Sequence, residues 1–320
     1  MKNFLVIIAL ILSAQVFSQQ EYQFSHYHFA RLGLNPGYAG MQQEQCFTAM
    51  MRQQWIGFKD AEGNKVAPVT YLVSANLFMP RLLHGGLGIT ISKDHLGFED
   101  NINVKLAYSY HQNLPIGKIG IGIQTDFINK YIDFNKFVFI DQNDPLLQSK
   151  KQESNITTDF GAGLYYRHPK YYIGISSTQL AEKEVVFRSD LAKPVLKRHY
   201  YLMSRYDIQL NPDYLLRPSF LIKSDLSSTQ YDLNCMLEYK RMIVTGLSYR
   251  TTDAMMLFFG LKKGSGYLGL SYDITTSAIG KGNRSSGTIE LVYRYCFNII
   301  PDPREEGHGN VRGLPSYYNK

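Results

Sequence analysis

Apolar and polar residues alternate one by one in the stretch from residue 287 to residue 297. Ile289, Leu291 and Tyr293 alternate with polar residues that include Glu290 and Arg294. A period of two predicts a β-strand, because successive side chains point to opposite faces of the backbone. A soluble sandwich would bury the apolar face against a second sheet. A membrane barrel would turn that face to lipid and the charged face to the lumen. This strand alone leaves both folds open.

The same alternation recurs through most of the chain. Between residues 101 and 112, for example, Ile102 and Leu106 lie on the face opposite Lys105 and His111. Such segments number about fourteen between residues 46 and 297, and each is near the roughly 10 residues that a tilted membrane strand needs. Charges recur on the face opposite the apolar rows, where a wet or plugged lumen would tolerate them and a dry core would not. We expect these charges to line and brace the lumen.

The lengths of the connections separate the two folds. The long connections predicted between strands are residues 56–68, 128–157, 179–196 and 276–286, and all are odd-numbered in chain order. The even-numbered connections are short. Outer-membrane barrels have short periplasmic turns and longer extracellular loops, whereas a soluble β-protein has no reason to separate loops in this way. The sequence therefore predicts an all-β outer-membrane barrel of about fourteen antiparallel strands over residues 46–297.

The two ends of the chain lack this pattern. Residues 1–18 have the positive start and short apolar core of a cleaved signal peptide, which predicts export to the outer membrane of a Gram-negative bacterium. Residues 19–45 show no regular alternation and are predicted to be a periplasmic lead-in or a plug of the lumen. Residues 298–320 contain Pro301 and Pro303, which cannot extend a β-ladder, and are predicted to be a periplasmic tail.

Composition agrees with a barrel and narrows the function. The chain contains 24 Tyr, 18 Phe and one Trp, which suits the aromatic girdles of a barrel. Its formal net charge of +7 comes from scattered Lys and Arg without a basic run, so we expect no nucleic-acid partner. A mean hydropathy of -0.22 argues against a helical membrane protein.

Motifs for chemistry are weak. No Gly-x-Ser-x-Gly elbow occurs and the histidines are dispersed, so we expect no catalytic residues and no cofactor. His26 and His28 would share a face of an extended segment, but a structural role is favoured over a metal site. The cysteines Cys46, Cys235 and Cys296 are odd in number and far apart, and fit neither a disulfide framework nor a metal site.

An ordered set of short motifs runs through the chain. Its members include the motif Asn35, Pro36, Gly37, Tyr38, Ala39 and Gly40, then Arg52 and Trp55, and later Asp159-x-Gly161-x-Gly163 and Gly246-x-x-Tyr249-Arg250. In this order they resemble the PorP/SprF family of type IX secretion system membrane proteins. That family usually reads Asn-Pro-Ala at the first motif, so Gly37 is a departure.

The resemblance implies a non-enzymatic outer-membrane barrel that supports the secretion or surface attachment of cargo proteins such as gliding adhesins. Implied partners are the cargo, ring or translocon components, and outer-membrane lipid. A porin or small-solute transporter is the alternative. The tail is either an inert extension or a docking strip for a periplasmic partner, with Arg304, Arg312, Tyr317 and Tyr318 as the candidate contacts.

Overall fold

The computed structural model describes residues 21–60, 63–64, 66–80, 84–133, 152–187, 194–277 and 285–298. The predicted signal peptide lies outside these residues, as does the predicted tail from residue 299 onward. No helix within these ranges is long and apolar enough to cross a membrane.

Two short helical turns precede a series of strands. The α-helix α1 spans Arg31–Leu34, and a 3₁₀ turn spans Pro36–Tyr38. The strands are β1 Gln45–Gln53, β2 Val69–Met79, β3 Gly85–Leu96, β4 Glu99–Leu114, β5 Gly117–Asp133, β6 Gln152–Arg167, β7 Tyr171–Thr178, β8 His199–Tyr206, β9 Ile208–Asn211, β10 Tyr214–Ser224, β11 Thr229–Tyr239, β12 Ile243–Arg250, β13 Ala254–Lys263, β14 Gly266–Thr275 and β15 Thr288–Phe297.

These strands form one closed antiparallel sheet. β8 and β9 both pair with β10 and are interrupted only at Asp207, so together they make one strand of the wall. β10 pairs with β11, and β15 pairs with β1, which closes the ring. The described residues therefore form a fourteen-stranded barrel, as the alternation predicts.

The two faces of the wall follow the predicted alternation. On β15, Ile289, Leu291 and Tyr293 are exposed on the outside, while Glu290 and Val292 are fully buried inside. The predicted inward-facing charges are buried or half-buried on the lumen side: Lys105, Asp126, Asp159, Arg167, Arg205, Asp207, Arg217, Lys223, Asp232, Glu238, Arg250, Lys262, Asp273, Glu290 and Arg294. The barrel thus turns an apolar, aromatic surface toward lipid.

The long connections lie at one end of the barrel. They follow β1, β5, β7 and β14, whereas the opposite end has only short turns and receives the chain before β1. By the rule for outer-membrane barrels, the end with short turns is periplasmic. The predicted connection 128–157 is too long, because β5 continues to Asp133 and β6 begins at Gln152. Alternation there extends beyond the length needed to cross the membrane, so this part of the wall is taller.

The connection from β7 to β8 folds over the tall part of the wall. Glu184 and Val195 form an isolated antiparallel bridge. Next to that bridge, Val185 and Phe187 pack with Ile128 and Ile132 of β5 in a small apolar cluster. This cluster covers part of the lumen from the extracellular side.

The expectation that the cysteines form no disulfide is wrong. Cys46 and Cys296 are directly opposed on β1 and β15, with 4.1 Å between their Cα atoms, and they form a disulfide. The two cysteines are 250 positions apart in the sequence, and only closure of the barrel brings them into register. Their spacing along the chain therefore does not indicate the pairing. Cys235 is free and exposed. The disulfide joins the two strands at their periplasmic ends.

Candidate functional site: the plug and its seat in the lumen

Residues 21–44, which we call the plug, lie inside the barrel. Their hydrogen bonds reach inward-facing residues on opposite sides of the wall, including Lys105 on β4, Ser219 on β10 and Glu290 on β15. Only a segment within the lumen can contact all these strands at once. Most plug residues are buried, including each residue from Ala30 to Met41.

The family motif at residues 35–40 forms the centre of the plug. Asn35 begins the 3₁₀ turn: its Oδ1 accepts a hydrogen bond of 2.8 Å from the backbone amide of Gly37. Its Nδ2 donates to the backbone carbonyls of Leu164 on β6 (3.0 Å) and Ile175 on β7 (3.2 Å). One fully buried amide side chain therefore shapes the turn and ties it to two strands of the wall.

Glycines on the inner face of the wall make room for this turn. A Cβ atom on Gly122 would lie 2.2 Å from the amide nitrogen of Gly37, and one on Gly163 would lie 2.3 Å from Oδ1 of Asn35. A Cβ on Gly120 would lie 2.2 Å from the carbonyl oxygen of Gly37. We call Gly120, Gly122 and Gly163 the glycine seat. Backbone lies directly on backbone here, and no side chain fits between.

Polar side chains of the wall satisfy the backbone of the plug around the seat. Ser109 donates to the carbonyl of Gly37 (3.0 Å), and Ser176 donates to that of Leu34 (2.7 Å). Asn76 Oδ1 accepts from the amide of Gly40 (2.6 Å), and His111 Nε2 lies 2.8 Å from the carbonyl of Ala39. Because buried backbone groups need partners, these contacts specify where the plug lies.

Gly40 lets the plug leave the seat toward β1. Its φ of +69° is in the left-handed region, and a Cβ there would lie 2.6 Å from the Cα of Gly86 on β3. Both the backbone conformation and the close approach require glycine at residue 40.

Tyr38 belongs to a buried aromatic group around Arg31. The Arg31 guanidinium lies 4.4 Å from the centroid of the Tyr38 ring and 4.8 Å from that of Tyr172. It also donates to the hydroxyls of Tyr165 (2.8 Å) and Tyr38 (3.2 Å). These rings and hydroxyls hold a buried cation by cation–π contact and hydrogen bonding.

Arg52 lies in a buried ion cluster on the other side of the plug. Its Nη1 is 2.8 Å from Oδ2 of Asp273 and 3.2 Å from Oε2 of Glu290. Glu290 also accepts from the backbone amides of Ser25 (2.7 Å) and His26 (2.8 Å), and its Oε1 lies 2.9 Å from Nδ1 of His26. We call Arg52, Asp273 and Glu290 the ion cluster. It binds the plug through charge and directed hydrogen bonds.

A second charged contact holds the start of the plug. Glu21 lies 2.9 Å from Nζ of Lys105 and accepts from the hydroxyl of Tyr201 (2.6 Å). Burial opposes ionisation of Glu21 more than any one neighbour favours it, but the charges of Lys105 and His199 and the hydrogen bonds from Tyr201 and Lys105 together lower the pKa to about 2. The Glu21 carboxylate is therefore ionised at neutral pH.

The remaining candidate residues lie apart from the seat. Trp55 follows β1 at the extracellular end, where its amide donates to Thr288 Oγ1 (3.1 Å). His26 and His28 are 5.7 Å apart between ring centroids. Within the described ranges, the one group of three possible metal ligands is Glu44, Cys46 and Cys296, and its sulfurs form the disulfide. Arg304, Arg312, Tyr317 and Tyr318 lie outside the described residues.

The sequence alone does not identify the glycine seat or the ion cluster as parts of one site. One signal was present: Gly120, Gly122, Gly161 and Gly163 recur at inward positions of two adjacent strands, where a barrel wall normally carries side chains. Such a row of missing side chains indicates close approach by another backbone.

Comparison with known protein families identifies the family of this plugged barrel. The family model described as "Type IX secretion system membrane protein PorP/SprF" matches residues 16–295, which includes the plug and nearly the whole wall. The chain belongs to the PorP/SprF family. The resemblance carried by the short motifs is thereby confirmed, and this PorP/SprF protein is a membrane protein of the type IX secretion system. No curated protein matches the chain.

Several solved outer-membrane barrels are similar to this PorP/SprF protein at low identity. Omp33 of Acinetobacter baumannii is 8% identical, with 81% of this chain and 100% of that chain covered and a TM-score of 0.42. The Pseudomonas putida toluene transporter TodX is 10% identical, with 88% and 96% covered and a TM-score of 0.49. The CymD monoaromatic hydrocarbon channel is 11% identical, with 84% and 92% covered and a TM-score of 0.48.

Proposed function

We propose that this PorP/SprF protein is a non-enzymatic barrel that supports secretion or surface attachment of a cargo protein, such as a gliding adhesin, by binding proteins. The observation that carries the proposal is the plug. It is fastened to the wall by the glycine seat on one side and the ion cluster on the other. A lumen occupied in this way suits a scaffold better than an open conduit for solutes.

The position of the charges supports this reading. Inward-facing charges such as Arg52, Lys105 and Glu290 contact the plug or one another, so they hold the segment rather than face open solvent. In a diffusion porin, the charges of the lumen face water and tune selectivity. A small-solute transporter remains the alternative, and it requires displacement of the plug.

A binding role without catalysis agrees with the structural contacts of His26, His111 and His199. His26 bonds to Glu290, His111 to a backbone carbonyl, and His199 to Gln179 and the carbonyl of Lys197. None of these pairs a histidine with a nucleophilic hydroxyl, as acyl transfer requires. We therefore propose that the protein catalyses no reaction.

The proposed partners lie on both sides of the outer membrane. The cargo would bind from the extracellular side, where the long connections are, and ring or translocon components from the periplasm. Export would use residues 1–18 as a cleaved signal peptide. The tail after residue 298 would dock a periplasmic component through Arg304, Arg312, Tyr317 and Tyr318.

Three measurements test the proposal. Purified protein in liposomes should give little swelling with small sugars, because the plug fills the lumen. In cells, deletion of the protein should remove a secreted adhesin from the surface, and pull-down followed by mass spectrometry should recover that adhesin or secretion components. Robust sugar flux with normal surface adhesin would favour the transporter instead.

A further inference from the structure

The lumen is accessible to solvent on the periplasmic side of the plug. There the inward-facing residues Arg205, Asp207, Arg217, Glu238 and Lys262 form what we call the vestibule. The side chains of Arg205 and Lys262 are 23% and 21% exposed. At the level of the plug, by contrast, the side chains of Arg52, Lys105 and Arg250 are only 1–3% exposed. Water from the periplasm therefore reaches the vestibule, and so can a ligand.

Cations outnumber carboxylates in the vestibule. Arg205 and Arg217 share Asp207, at 2.8 Å and 3.8 Å. Arg217 and Lys262 share Glu238. The three cations thus face two carboxylates, and the excess charge is positive. A cleft with low-dielectric walls and an excess of one sign of charge concentrates ions of the opposite sign.

The rest of the periplasmic end has the same sign. Further inward-facing cations at this end are Lys118, Arg167 and Arg294, and its turns carry Lys170, Lys240, Arg241 and Lys263, against the acidic residues Glu44 and Asp213. The extracellular end is richer in acid, with Asp94, Glu99, Asp100, Asp133, Glu153 and Asp253 among its described residues. An acidic partner is therefore attracted to the periplasmic end and disfavoured at the other.

His28 offers a hydrogen-bond donor on the plug side of the vestibule. It is 8% exposed, and neither of its ring nitrogens has a hydrogen-bond partner among the described residues. Burial lowers its pKa well below the usual value, and the charges of His26, Arg31, Arg205 and Arg217 lower it further. A neutral imidazole still carries one N–H, and a buried donor without a partner is costly. The group that suits both this donor and the nearby arginines is an anionic acceptor.

We propose that the vestibule binds an acidic peptide segment of a periplasmic partner protein, with glutamate or aspartate carboxylates on Arg205, Arg217 and Lys262 and on the His28 ring. A peptide fits better than a membrane lipid, because these side chains face the lumen and not the bilayer. Lipid phosphates can reach the turn residues at the rim, such as Lys240 and Arg241. The proposal rests on the proposed function, in which a periplasmic component binds this barrel, and it places that contact directly beneath the plug.

The test uses the full chain in detergent micelles and a fluorescein-labelled octaglutamate peptide. Fluorescence anisotropy should show binding that weakens as salt rises, while an octaglutamine peptide should not bind. Arg217→Gln and Lys262→Gln should each weaken octaglutamate binding by about tenfold, because each removes a charge-assisted contact. Lys93→Gln at the extracellular end should change it by less than about twofold, as expected of an exposed charge remote from the site.

Folding and lipid binding are controlled separately. His28→Phe keeps an aromatic ring but removes the N–H, and it should weaken octaglutamate binding while heat-modifiable gel migration stays as in the parent protein. Equal binding by parent, Arg217→Gln and Lys262→Gln proteins that all migrate as folded barrels would overturn the proposal. A second result would also overturn the proposal. If only the double variant Lys240→Gln/Arg241→Gln lost octaglutamate binding, and short-chain phosphatidylglycerol displaced the peptide from the parent protein, the site would be a lipid site at the rim. Peptide binding in vitro and secretion in cells are separate readouts. If the protein binds octaglutamate as expected but its deletion leaves secretion intact, only the proposed role in secretion is contradicted.

Discussion

The two sides of the wall hold the plug by different physical means. On the side of β5 and β6, the glycine seat lets backbone lie on backbone, and the contact depends on the absence of side chains. On the side of β1, β14 and β15, the ion cluster holds the plug through charged groups buried to 3% exposure or less. The first contact tolerates no added volume, and the second tolerates no lost charge. The difference predicts which substitutions release the plug.

The largest effect should come from Glu290→Gln, which keeps the volume of the ion cluster but removes one charge. Arg52 is then left with Asp273 alone, and the amides of Ser25 and His26 lose a charged acceptor. Removing one partner of a buried ion pair costs about 3–5 kcal/mol. The temperature at which the barrel unfolds on heat-modifiability gels should fall clearly, whereas Glu182→Gln at an exposed extracellular position should leave it unchanged. Equal unfolding temperatures for the two variants would show that the ion cluster does not stabilise the barrel.

Gly122→Ala should have the next largest effect, on the other side of the plug. The added methyl group would lie 2.2 Å from the Gly37 amide nitrogen, so backbone must move. Overpacking of this kind costs about 1–3 kcal/mol. We expect a lower unfolding temperature and increased liposome swelling, because the plug is lifted from its seat. Ile123→Val, on the outer face of the same strand, serves as the control; an unchanged swelling rate in Gly122→Ala would show that the seat does not keep the lumen closed.

Gly37→Ala probes the same contact from the plug and should be milder. A Cβ at residue 37 would lie 2.9 Å from the Gly120 carbonyl oxygen and 3.0 Å from that of Gly163, which requires shifts of a few tenths of an ångström. The plug is a single segment and can move more easily than a strand paired on both sides. We expect a cost at the low end of the range for overpacking, about 1 kcal/mol, measured as a fall in the unfolding midpoint. A larger effect than that of Gly122→Ala would mean that the plug is the more rigid of the two surfaces.

Glu21 supplies a contact whose stabilising effect should be constant near neutral pH and should decline only in acid. Its pKa is lowered to about 2 in the folded protein, against an ordinary value of about 4.3. A lowered carboxyl pKa means that the stabilisation is complete above the unfolded value and is lost as pH falls toward the folded value. Glu21→Gln removes the charge that contacts Lys105. The unfolding temperatures of the parent protein and of Glu21→Gln should therefore converge as the pH falls from about 4.5 to about 2. A constant difference across that range would assign the contact to hydrogen bonding alone.

The wall could be predicted from the sequence because its pattern is local. Alternation identified which residues of β15 face lipid, and the lengths of the connections identified which end of the barrel is periplasmic. The position of residues 21–44 could not be predicted in the same way, since Asn35 contacts residues more than a hundred positions away. Both a periplasmic lead-in and a plug were compatible with a segment that lacks alternation.

Contacts created by closure of the barrel were also missed. Cys46 and Cys296 meet only because β1 pairs with β15, and Arg52 meets Glu290 for the same reason. Ser109 illustrates the same point for the lumen. Alternation places this serine on the inward face but does not indicate what lies against it. In the structure Ser109 is fully buried against Gly37, so no space for a long side chain exists there.

The place of the plug in the chain has a consequence for biogenesis. The plug precedes β1, and the seam between β1 and β15 joins the first strand to the last. A polypeptide exported from its amino end delivers the plug to the periplasm before any strand of the wall. The glycine seat on β5 and β6 and the Glu290 side chain on β15 follow later. The enclosed segment therefore reaches the periplasm before the wall that encloses it, and the last strand to arrive both closes the ring and brings Glu290 to the plug.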